Sequence, residues 1–524
     1  MAVVHRSRGR RGRRSLHVQK PRGTLHPRVQ AVGPEHFGIV CVDCHKARSQ
    51  WMLSDFYGKV LVAPREVAHW RPDLEAALQL LRAALRQHGI QDVIVALERT
   101  GNYHQPVRRA FAAAGYETRL VHPYATKQFR QPANPGNKTD ETDLAAIQRA
   151  AANGFGLLEA PRDSFWRRLR LLVRHRRDLV GKCSVLQCQI REHLTSAMPG
   201  YAECFGSQFW NHNVALLIAR QTGSAAAVRQ ASADGLARMV QAAGVRYQQR
   251  SLEKVLAWAQ LAAEADPDAD FLRPIWTSLD DDRLSKALQI QALERQLAGL
   301  LAQTPYVLLL TFPGINVVSA AELAGEMGPI GHYANAKAIT GRAGLFPTRY
   351  QSARVDNCNG PLVRCANHSL RAALLLVADN LSSCNRHFRA LAEVWKAAGK
   401  DPRATRVKIA ARFSRIAYQI VAGRQVFRHP SARRRDYLLE KLLAFHRQHD
   451  TGMSPTLADL QAALEQLPGQ EYGPEALPLE RELKKTRSAR CRGSKAIGQI
   501  LPIVLAKLGV GQVQSEAAGD QDPD

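Results

Sequence analysis

Four carboxylates and one serine carry most of the chemical content of this 524-residue sequence. Asp140 and Asp143 stand three residues apart in Lys138-Thr139-Asp140-Glu141-Thr142-Asp143-Leu144, where a helix is expected to begin. On a helix that spacing puts both carboxylates on one face, a turn apart, and two oxygens aimed at one point suit a hard divalent cation. The plainer alternative is a helix start, since acids in a first turn are favoured by the macrodipole and Asp140 could serve only as an N-cap. Asp43 closes the nearly continuous apolar run Gly38-Ile39-Val40-Cys41-Val42, the mark of a strand buried on both faces. A carboxylate there is costly unless it is paired or bound to metal. Glu98 ends a second such run, Asp92–Leu97, and either joins the other acids or pairs with Arg99. Ser352 lies in Thr348-Arg349-Tyr350-Gln351-Ser352-Ala353-Arg354. It is either a turn residue or a nucleophile toward a phosphodiester, with the arginines stabilising the charge that develops on the phosphate.

The elements that must position these residues follow from periodicity. A strand at Gly38–Asp43 is followed by Ser49–Phe56, a Tyr57-Gly58-Lys59 turn and a strand at Val60–Ala63. Leu74, Leu78, Leu81 and Leu85 define an amphipathic helix over Pro72–His88, ended by Gly89. The strand at Asp92–Leu97, a helix at His104–Ala114, a strand at Thr118–His122 and the helix opening near Thr139 complete a β-β-β-α-β-α-β-α order. Acids fall on the first strand, at the end of the fourth strand and on the last helix.

Beyond this lies a helical region. Phe165, Leu169, Leu172, Leu179, Cys183, Leu186 and Ile190 step by threes and fours, and Arg176 interrupts the seam. That spacing is heptad-like, and its partner runs through Leu284, Ile290, Leu293, Leu297 and Leu300. The two helices are expected to pair within the chain or across a dimer. Arg167, Arg168, Arg170, Arg174 and Arg177 flank the first seam, forming either a solvated surface or, as favoured here, a phosphate-contacting face. Phe312-Pro313-Gly314-Ile315, opening a helix over Val317–Met327, resembles half of a helix-hairpin-helix element able to hold a phosphate oxygen.

Composition limits the partners. Lys and Arg number 73 against 46 Asp and Glu, a net charge of +27 that points to a polyanion, and its spread over helical segments favours nucleic acid over a membrane surface. Residues 1–34 hold nine basic residues and no acid, so they are expected to be disordered when free. They form either a nucleic-acid-binding arm or translated upstream sequence. The nine cysteines are expected to be reduced and structural, Cys41 and Cys44 included. No apolar run has the length of a transmembrane helix and no signal peptide opens the chain, so a cytoplasmic, nucleoid-associated protein is expected.

The order of strands and acids resembles the ribonuclease H-like fold of Holliday-junction resolvases. With Val42-Asp43-Cys44-His45-Lys46, Leu97-Glu98-Arg99-Thr100-Gly101, Lys138-Thr139-Asp140-Glu141-Thr142-Asp143, Phe312-Pro313-Gly314-Ile315, Gly344-Leu345-Phe346-Pro347, Tyr350-Gln351-Ser352 and Ser369-Leu370-Arg371 in this order, the chain is similar over about residues 37–425 to the DEDD transposases of insertion sequences, the "IS one-ten" family or bridge recombinases. The resemblance implies an α/β ribonuclease H-like catalytic domain over 35–160, a helical coiled-coil region over 161–304, a mainly α transposase domain over 305–428 and a helical extension over 429–524. It implies a Mg²⁺-binding tetrad of Asp43, Glu98, Asp140 and Asp143, and a catalytic Ser352 that forms a phosphoserine link to DNA. It also implies double-stranded DNA as substrate, a structured noncoding guide RNA, and a homo-oligomer that unites tetrad and serine. Ala353 and Asn367-His368 depart from the family, which commonly has glycine after the serine and before the Leu-Arg pair. A metal-dependent nuclease of the resolvase class and a non-catalytic nucleic-acid-binding protein are the alternatives.

Overall fold

Side chains alternate across a strand, so a strand apolar at every position needs a core on both of its faces. The computed structural model describes residues 25–130, 136–158, 163–352, 355–357, 360–427 and 435–467. The chain divides into two units, residues 1–161 and 162–524. The first contains α1 (Leu25–Val32), β1 (Phe37–Cys44), β2 (Arg48–Asp55), β3 (Val60–Ala68), α2 (Arg71–Gln87), β4 (Asp92–Glu98), α3 (His104–Ala113), β5 (Glu117–Val121), α4 (Pro123–Arg130), α5 (Asp140–Ala152) and β6 (Gly156–Leu158). They build a mixed sheet in the order β3-β2-β1-β4-β5-β6. The central β1–β4 and β4–β5 pairs are parallel and the outer pairs antiparallel.

β1 sends Val40, Val42 and Cys44 to one face, where they meet Leu74, Leu78 and Leu81 of α2 and Val107 and Phe111 of α3. It sends Ile39 and Cys41 to the other, against Leu144, Ile147 and Ala151 of α5. Each such aliphatic side chain contributes ~1.5–3 kcal/mol when fully buried. Cys41 and Cys44 therefore belong to opposite cores and form no metal-binding pair. Burial pushes both thiols up, Cys44 to about 12, as expected of inert, reduced cysteines.

Three features of this unit differ from expectation. Leu25–Val32 is a helix, not part of a disordered arm: Leu25 and Val29, one turn apart, are buried beneath the sheet, and Arg28 Nε donates to Asp92 Oδ2 at 2.8 Å. The rest of the basic tract, residues 1–24, lies outside the described residues. β3 runs on to Ala68, its pairing with β2 reaching Arg48↔Ala68, because Pro64 sits on an edge strand where its missing N–H costs no ladder bond. The short α4 and β6 were not anticipated.

The second unit is largely helical. α6 (Ser164–Ala197) is followed by a 3-10 segment (Ala202–Asn211), α7 (Asn213–Thr222), α8 (Ala225–Ala242), α9 (Gln249–Leu261) and α10 (Ala269–Ala302). Then come α11 (Val317–Met327), α12 (Ala336–Ala343), the hairpin β7 (Tyr350–Ser352) and β8 (Val355–Asn357), α13 (His368–Cys384), α14 (Arg386–Ala397), α15 (Pro402–Ala422), α16 (Arg435–Gln448) and α17 (Met453–Glu465). α6 and α10 pair antiparallel within the chain, linked by Arg176 to Glu294 and by Cys183 Sγ to the Arg283 carbonyl. At one end Leu169, Val173, Leu297 and Leu301 share a core; at the other, Leu186, Ile190 and Trp276 share a second. Leu284, expected in the seam, is 43% exposed, while the neighbouring Arg283 turns inward onto Asp280 and the Trp210 ring.

Three of the five arginines flanking the α6 seam, Arg170, Arg174 and Arg177, are engaged by buried carboxylates within the chain. Glu322 and Glu326 project from α11 with side chains only 4% and 0% exposed, and buried carboxylates demand cations. Arg174 Nε donates to Glu326 at 2.7 Å, Arg170 stands 3.6 Å from the same carboxylate, and Arg177 donates to Glu322 at 3.0 Å. Arg176, which breaks the apolar seam, reaches Glu294 at 2.7 Å and Glu322 at 3.4 Å. Arg167 and Arg168 remain exposed.

Candidate active site

β1 and β4 lie side by side, parallel, with Val42 opposite Leu97, so their next residues, Asp43 and Glu98, emerge together at the carboxyl ends of the strands. By the alternation of side chains, Asp43 follows Ile39 and Cys41, and Glu98 follows Ile94 and Ala96, onto the face that α5 covers. On α5, Leu144 and Ile147 face that core; Asp140 and Asp143 lie one turn before them on the same stripe. The start of α5 is held without help from either acid. Thr139 is the N-cap: Thr142 N–H donates to Thr139 Oγ1 at 3.2 Å, and Thr139 N–H to Thr142 Oγ1 at 2.9 Å. Asp140 is thus not the cap, and its carboxylate is available for another role.

The acids come together unequally. Oxygens of Asp43 and Asp140 and a ring nitrogen of His45 lie within 4.8 Å of one another. His45 Nε2 is 3.5 Å from Asp43 Oδ2 and 3.7 Å from Asp140 Oδ1. Glu98 and Asp143 stand outside this closest set but within its field, since the charges of Asp43 and Asp143 both act on Glu98. Asp143 is buried and accepts from Arg130 at the end of α4. Burial, then the Asp43 and Asp143 charges, push the Glu98 carboxyl up to about 7. Asp43 is also held above the ordinary carboxylate range, by burial and by Asp143 and Asp140, with His45 opposing.

Among the described residues, no hydrogen-bond donor reaches the side chain of Asp43, which is 8% exposed, or that of Glu98. Arg99 is exposed and forms no ion pair with Glu98. A largely buried carboxylate without a donor is costly, and gathering Asp43 and Glu98 with the acids of α5 adds repulsion. A divalent cation removes both costs, so the donor set fits a metal held by oxygen.

Sequence reasoning missed three contributors. His45 follows Asp43 by two residues, the spacing that returns to the same face of a strand, and this was the available signal. Arg130 sits on a helix too short to show periodicity. Lys138 lowers the carboxyls of both Asp43 and Glu98 by its charge.

In the second unit Ser352 ends β7, opposite Val355, with its side chain exposed; Ala353 and Arg354 lie outside the described residues. The base of this hairpin is firmly built. Thr348 N–H donates to the Pro361 carbonyl at 2.8 Å, and Arg371 Nε donates to the Ala343 carbonyl at 2.8 Å and its Nη2 to that of Val363. Gly344 ends α12 at φ 61°, which favours glycine. Asn367 needs no glycine: at φ −77° it caps α13, accepting from Leu370 N–H at 3.1 Å, and its Nδ2 donates to Glu326 at 3.0 Å.

Relatives give the arrangement a context. A family described as "Transposase", of the DEDD type, matches residues 40–199, and one described as "Transposase IS116/IS110/IS902 family" matches residues 306–393. The first match takes in most of the sheet and all four acids, and the second takes in the Ser352 hairpin. The chain is 29% identical over 272 residues to the "Insertion element IS110 uncharacterized 43.6 kDa protein" of Streptomyces coelicolor. The match covers 51% of this chain and 66% of that protein, just short of two thirds of its length. Together these matches support an IS110-family transposase. Among the described residues no helix is long and apolar enough to cross a membrane.

Proposed function

We propose that the protein is a DNA recombinase that cuts and rejoins strands for an insertion sequence. Asp43, Glu98, Asp140 and Asp143 would hold divalent metal, Mg²⁺ being the expected ion, and Ser352 would be the nucleophile. The observation that carries this reading is the pair of donorless carboxylates, Asp43 and Glu98, facing the two acids of α5. A central β2-β1-β4-β5 arrangement with acids at the ends of its parallel strands supports a ribonuclease H-like fold. Bound metal would supply electrophilic stabilisation of the phosphate and of the leaving oxygen.

The Ser352 hydroxyl gives up its proton to solvent as its oxygen attacks phosphorus, and the leaving oxygen takes up a proton from solvent. The bond from phosphorus to the leaving strand's oxygen breaks, giving a phosphoserine and a free hydroxyl end. Attack by another strand's hydroxyl on the phosphoserine reverses the exchange, so the energy of the broken phosphodiester is kept for rejoining. Double-stranded DNA suits the net charge of +27, and a structured guide RNA from the element would choose the sites by base pairing. A homo-oligomer would bring serine and acids to one phosphate.

The test is adduct formation on matched RNA and DNA. Wild type should give a covalent protein–DNA species that Ser352→Ala lacks and Asp43→Asn reduces to background. Normal strand cleavage by Ser352→Ala would replace this reading with a resolvase-like nuclease using water. Normal binding with no metal-dependent breakage would leave a non-catalytic nucleic-acid-binding protein.

A further inference from the structure

The two sides of the acidic cluster are neutralised differently. On one side the partly buried Arg130 is fixed against the buried Asp143. On the other side His45 stands between Asp43 and Asp140, its Nε2 3.5 Å and 3.7 Å from their oxygens. Cis donors around an ion with bonds of 2.0–2.1 Å stand about 3 Å apart, so a small closure of these three groups completes one face of a coordination sphere. The hairpin that carries the ring is independently fixed, since the His45 N–H donates to the Arg48 carbonyl at 3.0 Å. Asp43 supplies the second observation: its side chain is 8% exposed, is aimed into this space, and receives no hydrogen bond among the described residues.

We infer that His45 is a direct metal ligand, placing one nitrogen among the carboxylate oxygens at the Asp43–Asp140 position and turning that position from Mg²⁺ toward Mn²⁺. This rests on the metal-binding reading of the four acids given above. Mg²⁺ takes oxygen donors almost exclusively, whereas imidazole suits the first-row transition ions. A neutral His45 presents the Nε2 lone pair to the ion.

The experiment is pulsed electron paramagnetic resonance on the full-length protein with one equivalent of Mn²⁺, read for ¹⁴N modulation from a coordinated imidazole. Wild type should show that modulation. His45→Ala should bind Mn²⁺ without it, and its preference for Mn²⁺ over Mg²⁺ should fall by on the order of tenfold. His45 is half exposed, so its removal leaves the core intact. Asp43→Asn should lose the site altogether. Mn²⁺ bound by wild type but not by Asp43→Asn, with no ¹⁴N modulation, overturns the role of His45 and leaves the acidic metal site standing. Modulation that persists in His45→Ala overturns it equally. Wild type and Asp43→Asn binding Mn²⁺ alike, or neither binding it, removes the metal-binding reading and this inference with it.

Discussion

Replacing Glu98 by Gln should stabilise the metal-free protein, and the gain should depend on pH in one direction. Burial and the charges of Asp43 and Asp143 raise the Glu98 carboxyl from its ordinary 4.5 to about 7. A shift of that size has an upper bound of about 3 kcal/mol, and the partial solvent contact of Glu98 reduces it to about 1–2 kcal/mol. The folded state holds its proton more tightly than the unfolded state. Below pH 4.5 both states are protonated, and wild type and Glu98→Gln should be equally stable. As pH rises toward about 7 the wild type loses stability that the amide keeps, and above that the difference levels off. Calorimetry of the full-length protein in EDTA should show the transition of the N-terminal unit raised by roughly 3–8 °C at pH 8 and unshifted at pH 4. Mg²⁺ should close or reverse the gap at pH 8, because it binds the carboxylate and not the amide. A variant less stable than wild type at pH 8 without metal would refute the reasoning, as would a gain of equal size at both pH values.

Two predictions concern the second unit. Lys441 of α16 donates to the carbonyls of Leu310, Phe312 and Ile315 at 2.8, 3.0 and 2.6 Å, so the helical extension closes the Phe312–Ile315 turn. Lys441→Met leaves these carbonyls short of a donor and should cost about 2–4 kcal/mol in guanidinium unfolding, whereas a solvated lysine would cost almost nothing. Glu326 is buried, and burial alone would raise its carboxyl, but Arg174, Asn367 and Arg170 bring it below the usual range. Its stabilisation is present above the unfolded value of 4.5 and is lost as pH falls through the lower folded value. Glu326→Ala should cost about 3–5 kcal/mol at pH 7 and much less near pH 3, seen by chemical denaturation.

What the sequence revealed was the local part of this design. Asp43 and Glu98 stand at the ends of apolar runs that only buried parallel strands explain, and Asp140 and Asp143 carry helical spacing. The strand pairing that aligns Val42 with Leu97 then brings the acids together. The partners that tune them were hidden. Arg130 sits on an eight-residue helix, and His45 looks like one more polar residue in a hairpin. The ion pairs of Arg174 and Arg177 were hidden as well, because their acceptors, Glu326 and Glu322, lie about 150 residues further along the chain, and an ion pair across that distance leaves no local pattern. Leu25 and Val29 were concealed in the same way, as two apolar residues inside a basic tract.

Anomalous diffraction from crystals grown with Mn²⁺ tests the central claim most directly. The account predicts a peak bounded by Asp43, Glu98, Asp140 and Asp143, with carboxylate oxygens about 2.0–2.4 Å away, and no such peak in Asp43→Asn crystals. Four ordered carboxylates with no anomalous density between them, or a peak elsewhere in the chain, would contradict it.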